Sequence, residues 1–182
     1  MTKTNNASNG AHGDTLSRNA IGSEADGPAG GSAAFKFDHP APAGHAKTVS
    51  QVLGEIVWLM SQSPLHKTML ISDLEWMVMV PTFVQQFRLY YDKDKPIGVV
   101  LWAEVDGEVA GRLAQGVSRL RPQDWKSGAA VSEAERQLWI VDVVAPFGGA
   151  EDMVRELKAK VFPGREVYYA RMDATGKTVA VA

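Results

Sequence analysis

The sequence contains no cysteine, and that single absence removes disulfides, thiolate metal sites and cysteine nucleophiles together. Any metal would have to be held by histidine and carboxylate alone, and only four histidines are present, so no metal site is expected. The chain has no apolar run near the roughly 18 residues that a membrane-spanning helix needs. Nor does a hydrophobic stretch follow the N-terminal charges as an export signal requires. The expectation is a cytoplasmic protein with no membrane span. A large excess of one charge is missing too: the net charge of −2 leaves no global basic field, so nucleic acid is not an expected partner.

What is present suffices for one core, with 45% hydrophobic and 22% charged residues in a chain of 182. Residues 1–47 stand apart. They are rich in Gly, Ala, Asn, Ser, Asp and Pro, with large apolar residues only as isolated points such as Leu16, Ile21, Phe35 and Phe37. Such a segment cannot bury enough surface to offset its ordering entropy and reads as a disordered tail, although Phe35 and Phe37 also suit a short docking arm. The folding domain is then residues 48–182.

Within it, Thr48 and Gln51 have capping-box spacing and open a helix whose apolar face is Val49, Val52, Leu53, Ile56, Val57 and Met60. Pro64 ends it. Ser72 and Glu75 repeat the spacing and predict a short helix through Leu74, Met77 and Val78 that stops by Pro81. The period then changes. Val84 to Tyr91 and Ile97 to Ala103 flank a charged turn at Asp92-Lys93-Asp94-Lys95-Pro96, which predicts a β-hairpin. A helix over Gly107 to Leu120 and a polar excursion over Lys126 to Arg136 follow. Leu138 to Val144 reads as a buried strand, Glu151 to Val161 as an amphipathic helix with acids at its N-terminus, and Val167 to Met172 and Thr178 to Val181 as strands. A meander followed by one βαβ unit gives an α+β, or mixed α/β, sheet.

Three histidines, His12, His39 and His45, lie in the tail, which leaves His66 as the domain's one imidazole. Imidazole titrates near about 6.5, so a histidine in a cleft after a helix break can serve as a general base; the alternative is a satisfied surface histidine. Asp142 interrupts an otherwise apolar strand, where a carboxylate is costly unless paired or used. It either orients His66 or faces solvent. Gly148-Gly149 offers backbone N–H groups at a helix start, suited to an anion or to a plain turn. Met60, Met69, Met77 and Met79 are candidates to line an apolar groove, or simply core.

Three segments stand together in order: Leu53-Gly54-Glu55-Ile56-Val57-Trp58-Leu59, Ser63-Pro64-Leu65-His66-Lys67, and Trp139-Ile140-Val141-Asp142-Val143-Val144-Ala145-Pro146-Phe147-Gly148. With Leu101-Trp102-Ala103 and Asp124-Trp125-Lys126-Ser127-Gly128, they make the chain resemble the toxin-activating lysine acyltransferases of bacterial RTX toxin systems over about residues 49–177. The resemblance implies a GNAT-like acyltransferase fold that takes a fatty acyl chain from acyl carrier protein and places it on an internal lysine of an RTX-type protoxin in the cytosol. It puts the family's catalytic histidine at His66, its essential aspartate at Asp142 and its serine at Ser63. It implies no bound cofactor, because the donor thioester arrives on the carrier, and leaves a homodimer open. Departures mark a divergent, C-terminally shortened member: Lys67-Thr68-Met69-Leu70 replaces a Trp-Pro step, residues 129–137 are inserted, Val143 stands for Trp, and the chain ends soon after Asp173.

On this reading His66 deprotonates the acceptor amine while Asp142 fixes its tautomer and stabilises the imidazolium. Ser63 is either a transient acyl acceptor or a helix-terminating hydroxyl. Backbone N–H groups near an opened strand hold the oxyanion. Arg119, Arg121 and Lys126 would form one face for the acidic carrier. The alternative is a non-catalytic binding module of the same fold. An ordinary acetyl-CoA enzyme is disfavoured, since no Q/R-x-x-G-x-G/A pyrophosphate loop is present.

Overall fold

In a computed structural model the structure describes residues 47–117, 119–172 and 178–181. The disordered-tail reading, with its docking arm, lies outside the described residues except at Lys47. That lysine belongs with the fold: its ammonium pairs with Glu55 and donates to the Tyr91 hydroxyl at 2.9 Å.

The first helix, α1 (Val49–Gln62), begins where its capping box predicts. Thr48 Oγ1 accepts from the Gln51 N–H at 3.3 Å, and Gln51 Oε1 accepts from the Thr48 N–H at 2.8 Å. Val52, Ile56, Leu59 and Met60 form its buried stripe. The next segment differs from expectation. A 3₁₀ turn (Ile71–Asp73) leads into a π-helical turn (Glu75–Met79) and a short α2 (Val80–Phe83). Asp73 rather than Ser72 caps it, accepting from the Leu70 N–H at 3.3 Å. Pro81 does not stop the helix but sits in the first turn of α2, where its missing N–H is tolerated because the wide turn before it has already shifted the bonding register.

A five-stranded sheet follows in the order β1-β2-β3-β4-β5. Its strands are β1 (Phe87–Asp92), β2 (Lys95–Val105), β3 (Gln137–Val144), β4 (Val167–Met172) and β5 (Thr178–Val181). Between them lie α3 (Gly107–Ala114), 3₁₀ turns at Asp124–Ala130 and Glu133–Glu135, and α4 (Ala150–Lys160). Only β3 and β4 pair in parallel, joined through α4; the other neighbours are antiparallel. The α+β architecture expected from the sequence is therefore the observed one. Several boundaries move, among them that β2 runs two residues further at each end than expected. The hairpin starts at Phe87, because Gln85 adopts φ 58, and α3 stops at Ala114 shortly before Gly116 at φ 84.

Strand β2 is buried on both faces, which explains why it reads as an almost unbroken apolar run. Val99, Leu101, Ala103 and Val105 face the core shared with α1, α3 and Trp125. Val100 and Trp102 face the second core, with Met153 and Leu157 of α4. One irregularity breaks this alternation. Leu101 pairs with Asp142 but Trp102 pairs with Ile140, so Val141 is an extra residue and β3 carries a bulge.

Candidate active site

The site grows from two local devices. At the end of α1, Pro64 cannot continue the helix, and the chain curls into a tight turn in which the His66 and Lys67 N–H groups both bond the Ser63 carbonyl, at 3.1 and 3.0 Å. That turn folds His66 back over Ser63, and Ser63 Oγ lies 2.7 Å from His66 Nδ1. Both side chains are buried. The second device is the bulge. Regular alternation would send Asp142 to the face opposite Val141, but the extra residue turns both toward the α1 face. Asp142 Oδ2 thereby reaches His66 Nε2 at 3.0 Å across 76 residues of sequence. Its other oxygen is held by the Val143 N–H at 2.8 Å.

The structure thus brings together Ser63, His66 and Asp142, the three site residues singled out from sequence. A carboxylate only accepts, so the neutral ring carries its proton on Nε2 and presents the Nδ1 lone pair to the Ser63 hydroxyl. The result is a continuous chain, Ser63 Oγ–H to His66 to Asp142, with polarity able to pass a proton inward.

A cavity of about 620 Å³ opens beside Asp142, between β3, α4 and β4. Its cause is topological. The β3–β4 pairing ends at Ile140 opposite Tyr169, while β3 runs on to Val144 paired only with β2. Ile140, Val143, Val154 and Tyr169 supply apolar wall, and Asp142, Glu151, Arg155 and Lys158 supply charge.

Other candidates fall elsewhere. Met60 and Met77 are buried in the core, Met69 packs against it and Met79 is exposed, so these methionines do not line this cavity. Gly148 and Gly149 take left-handed conformations, φ 92 and 80, in the turn that starts α4, with Glu151 and Asp152 in the first helical turn. Two members of the proposed basic face, both exposed, carry internal pairs, while Lys126 is exposed. Arg119 pairs with Asp73 at 3.6 Å and lies over Trp76, and Arg121 pairs with Asp124 at 3.1 Å.

Sequence reasoning missed what Asp124-Trp125-Lys126-Ser127-Gly128 does. Asp124 is 2% exposed and accepts from the Arg121 backbone N–H at 2.8 Å, while Arg112 NH2 lies 2.8 Å away as an ion pair. Burial pushes its carboxyl upward, but hydrogen bonds from Arg121 and the Arg112 charge outweigh that and hold it below the usual carboxylate range. Ser127 Oγ accepts from the Asp106 N–H, and a Cβ on Gly128 would lie 2.5 Å from the Glu104 carbonyl oxygen. This motif braces β2 and α3. Also unforeseen was the meeting of Trp58 and Phe147, whose rings lie 5.9 Å apart with the Lys95 ammonium 4.9 Å from the Phe147 centroid. Each came from a different motif, which was the available signal. Among the described residues no helix is long and apolar enough to cross a membrane.

Comparison with known proteins finds related sequences. The chain is 32% identical to the lysine-acyltransferase RtxC of Vibrio cholerae, over 63% of this chain and 71% of the relative. It is 32% identical to the leukotoxin-activating lysine-acyltransferase LktC of a Pasteurella haemolytica-like species, over 69% and 73%. The RTX-II toxin-activating lysine-acyltransferase ApxIIC of Actinobacillus pleuropneumoniae is 31% identical, over 70% and 78%. The profile of the RTX toxin acyltransferases matches residues 45–182, a span that includes Ser63, His66, Asp142 and the cavity beside them. On that match and those relatives, the chain belongs to the RTX toxin acyltransferase family.

Proposed function

We propose that this protein transfers a fatty acyl chain from the thioester of an acyl carrier protein to the ε-amine of an internal lysine on an RTX-type protoxin, in the cytoplasm. The observation that carries this reading is the hydrogen-bonded chain Ser63–His66–Asp142, whose aspartate lines an open cavity. A lysine ammonium, at about pKa 10.4, must first give up one proton to solvent before it can attack, and formation of the amide releases a second, which the site must take. His66 Nδ1 is the base. Because the Ser63 hydroxyl already occupies that lone pair, the amine proton passes to Ser63 Oγ as the Ser63 proton passes to Nδ1. Asp142 holds the Nε2 proton and stabilises the imidazolium that forms.

The nitrogen of the amine attacks the thioester carbonyl carbon, the carbon–sulfur bond breaks, and the departing thiolate takes the proton from the imidazolium. The unpaired edge of β3 beyond Ile140 supplies backbone donors for the oxyanion, and the apolar side of the cavity receives the acyl arm. No bound cofactor enters, since the donor carries its own activated group. The same 2.7 Å contact supports a second course in which Ser63 Oγ takes the acyl group first and the amine displaces it.

The test incubates the purified protein with carrier proteins loaded with different acyl chains and an RTX-type acceptor, and follows all three by intact mass. Acyl gain on the acceptor, lost in His66→Ala, supports the transferase. Persistent mass on this protein that moves with Ser63 selects the acyl-enzyme course. Co-elution with the carrier and no transfer makes the fold a binding module instead.

A further inference from the structure

The cavity beside Asp142 has a polarity that the transfer chemistry leaves unexplained. On its α4 wall Glu151 and Lys158 stand seven residues apart, about 10 Å along the helix at 1.5 Å per residue, with Val154 and Arg155 between them. Asp142 and Glu151 are its carboxylates, and Arg155 and Lys158 its cations. Arg155 shares its charge with Asp152, an exposed pair at 2.6 Å that is weak in water. Lys158 is only partly exposed, lines the cavity, and has no ion pair or hydrogen bond among the described residues. Lys160, on the same last turn, is paired with Glu156 at 3.0 Å. Of the two cations that line the cavity, Lys158 is thus the one without an ion pair among the described residues. A lysine that lines a cavity with no ion pair of its own has its charge available to an anion.

We propose that Lys158, supported by Arg155, binds the phosphodiester through which a carrier-borne thioester arm joins its protein, and so selects the donor. This rests on the reading that the donor is an acyl carrier thioester. Two ends of such an arm have counterparts on the wall: the thioester beside Asp142, which holds His66, and the single phosphate charge beside Lys158. The site is distinct from the Arg119, Arg121 and Lys126 face, whose two arginines pair with Asp73 and Asp124.

The experiment compares the full chain with Lys158→Gln and, as a control, Lys160→Gln, on three donors bearing the same acyl group: a carrier protein, coenzyme A, and N-acetylcysteamine, which has the amide and thioester but no phosphate. The expected result is a loss of about tenfold in kcat/KM for the carrier donor in Lys158→Gln, expressed in KM and flattened by added salt, with no such loss on the N-acetylcysteamine thioester. Lys160→Gln should behave as the native chain. Loss on coenzyme A as well as the carrier supports the phosphate subsite and widens its source; loss on the carrier alone confines it. Equal effects on all three donors overturn the proposal. If the native protein turns over none of them, the transferase reading falls, and calorimetric binding to the carrier with and without its prosthetic arm decides the subsite separately. Arm-dependent affinity weakened about tenfold by Lys158→Gln supports it. Affinity indifferent to the arm overturns it.

Discussion

Asp124 and Asp142 are two carboxylates drawn from two motifs on the same chain, and their surroundings differ in a way that separates bracing from chemistry. Asp124 is sealed, 2% exposed, and both its oxygens meet arginine groups whose charge cannot be given up at ordinary pH. Nothing in that cluster can change its proton count without breaking it. Asp142 keeps part of its surface, borders a cavity, and is bonded to an imidazole, a ring that can both take up and hand on a proton. Conserving charge holds a fold together, whereas a site for acyl transfer has to move it. The contrast predicts that changes at the first aspartate are read in melting and changes at the second in turnover.

The most damaging way to break the contrast is to remove the imidazole. His66→Ala should cut acyl transfer by about 10²–10⁴-fold, the usual share of a general base, with near-native circular dichroism. Retained turnover would reject His66 as the base. Asp142→Asn comes next. An amide can donate to Nε2 and draw the proton to Nδ1, the wrong tautomer for accepting from Ser63, so turnover should fall well over tenfold with little change in melting temperature. If Asp142→Asn merely unfolds the protein, Asp142 joins Asp124 as a structural residue and the comparison collapses.

The converse substitution sharpens it. Asp124→Asn leaves Arg112, whose side chain is largely buried, without a counter-charge and should cost about 2–3 kcal/mol of stability by denaturant titration. Below the lowered melting point its kcat should stay within about twofold of the native value. A large loss of kcat in folded Asp124→Asn protein would mean that the brace also positions the site.

How much of this was readable in advance follows from whether the signal is local. The Thr48–Gln51 box, the Pro64 break and the charged hairpin tip are short-range events, and each is found where its residues predict. His66 and Asp142 could be named from their motifs, yet their contact depends on one extra residue in the β3 ladder. A bulge leaves no mark in Ile140-Val141-Asp142-Val143, because a sheet buried on both faces has already erased the alternation that would reveal it. The π-helical turn before Pro81 was hidden for a similar reason, since the capping pattern at Ser72 and Glu75 was equally compatible with an ordinary helix. Asp124 was legible only as part of a motif. Its partner Arg112 comes from α3, and nothing in Asp124-Trp125-Lys126-Ser127-Gly128 says which arginine will be near.

The smallest expected effect tests the internal division of the brace and its response to acid. The Asp124 pKa is lowered in the folded state, so its contribution to stability is fully present above the unfolded carboxylate value, about 3.9, and is lost as pH falls through the lower folded value. The stability gap between native protein and Asp124→Asn should therefore be constant from neutrality to about pH 5 and close at still lower pH. Arg121 shares the carboxylate with Arg112 but is 58% exposed, and Arg121→Gln keeps the backbone N–H that bonds Asp124. Screening limits what its charge can add, so Arg121→Gln should lower the melting temperature only slightly and less still in high salt. Arg112→Gln, removing the more buried partner, should cost more and respond less to salt. Equal costs for the two arginines would show that burial does not rank the members of this cluster, and the division between a sealed brace and an open site would then have to rest on chemistry alone.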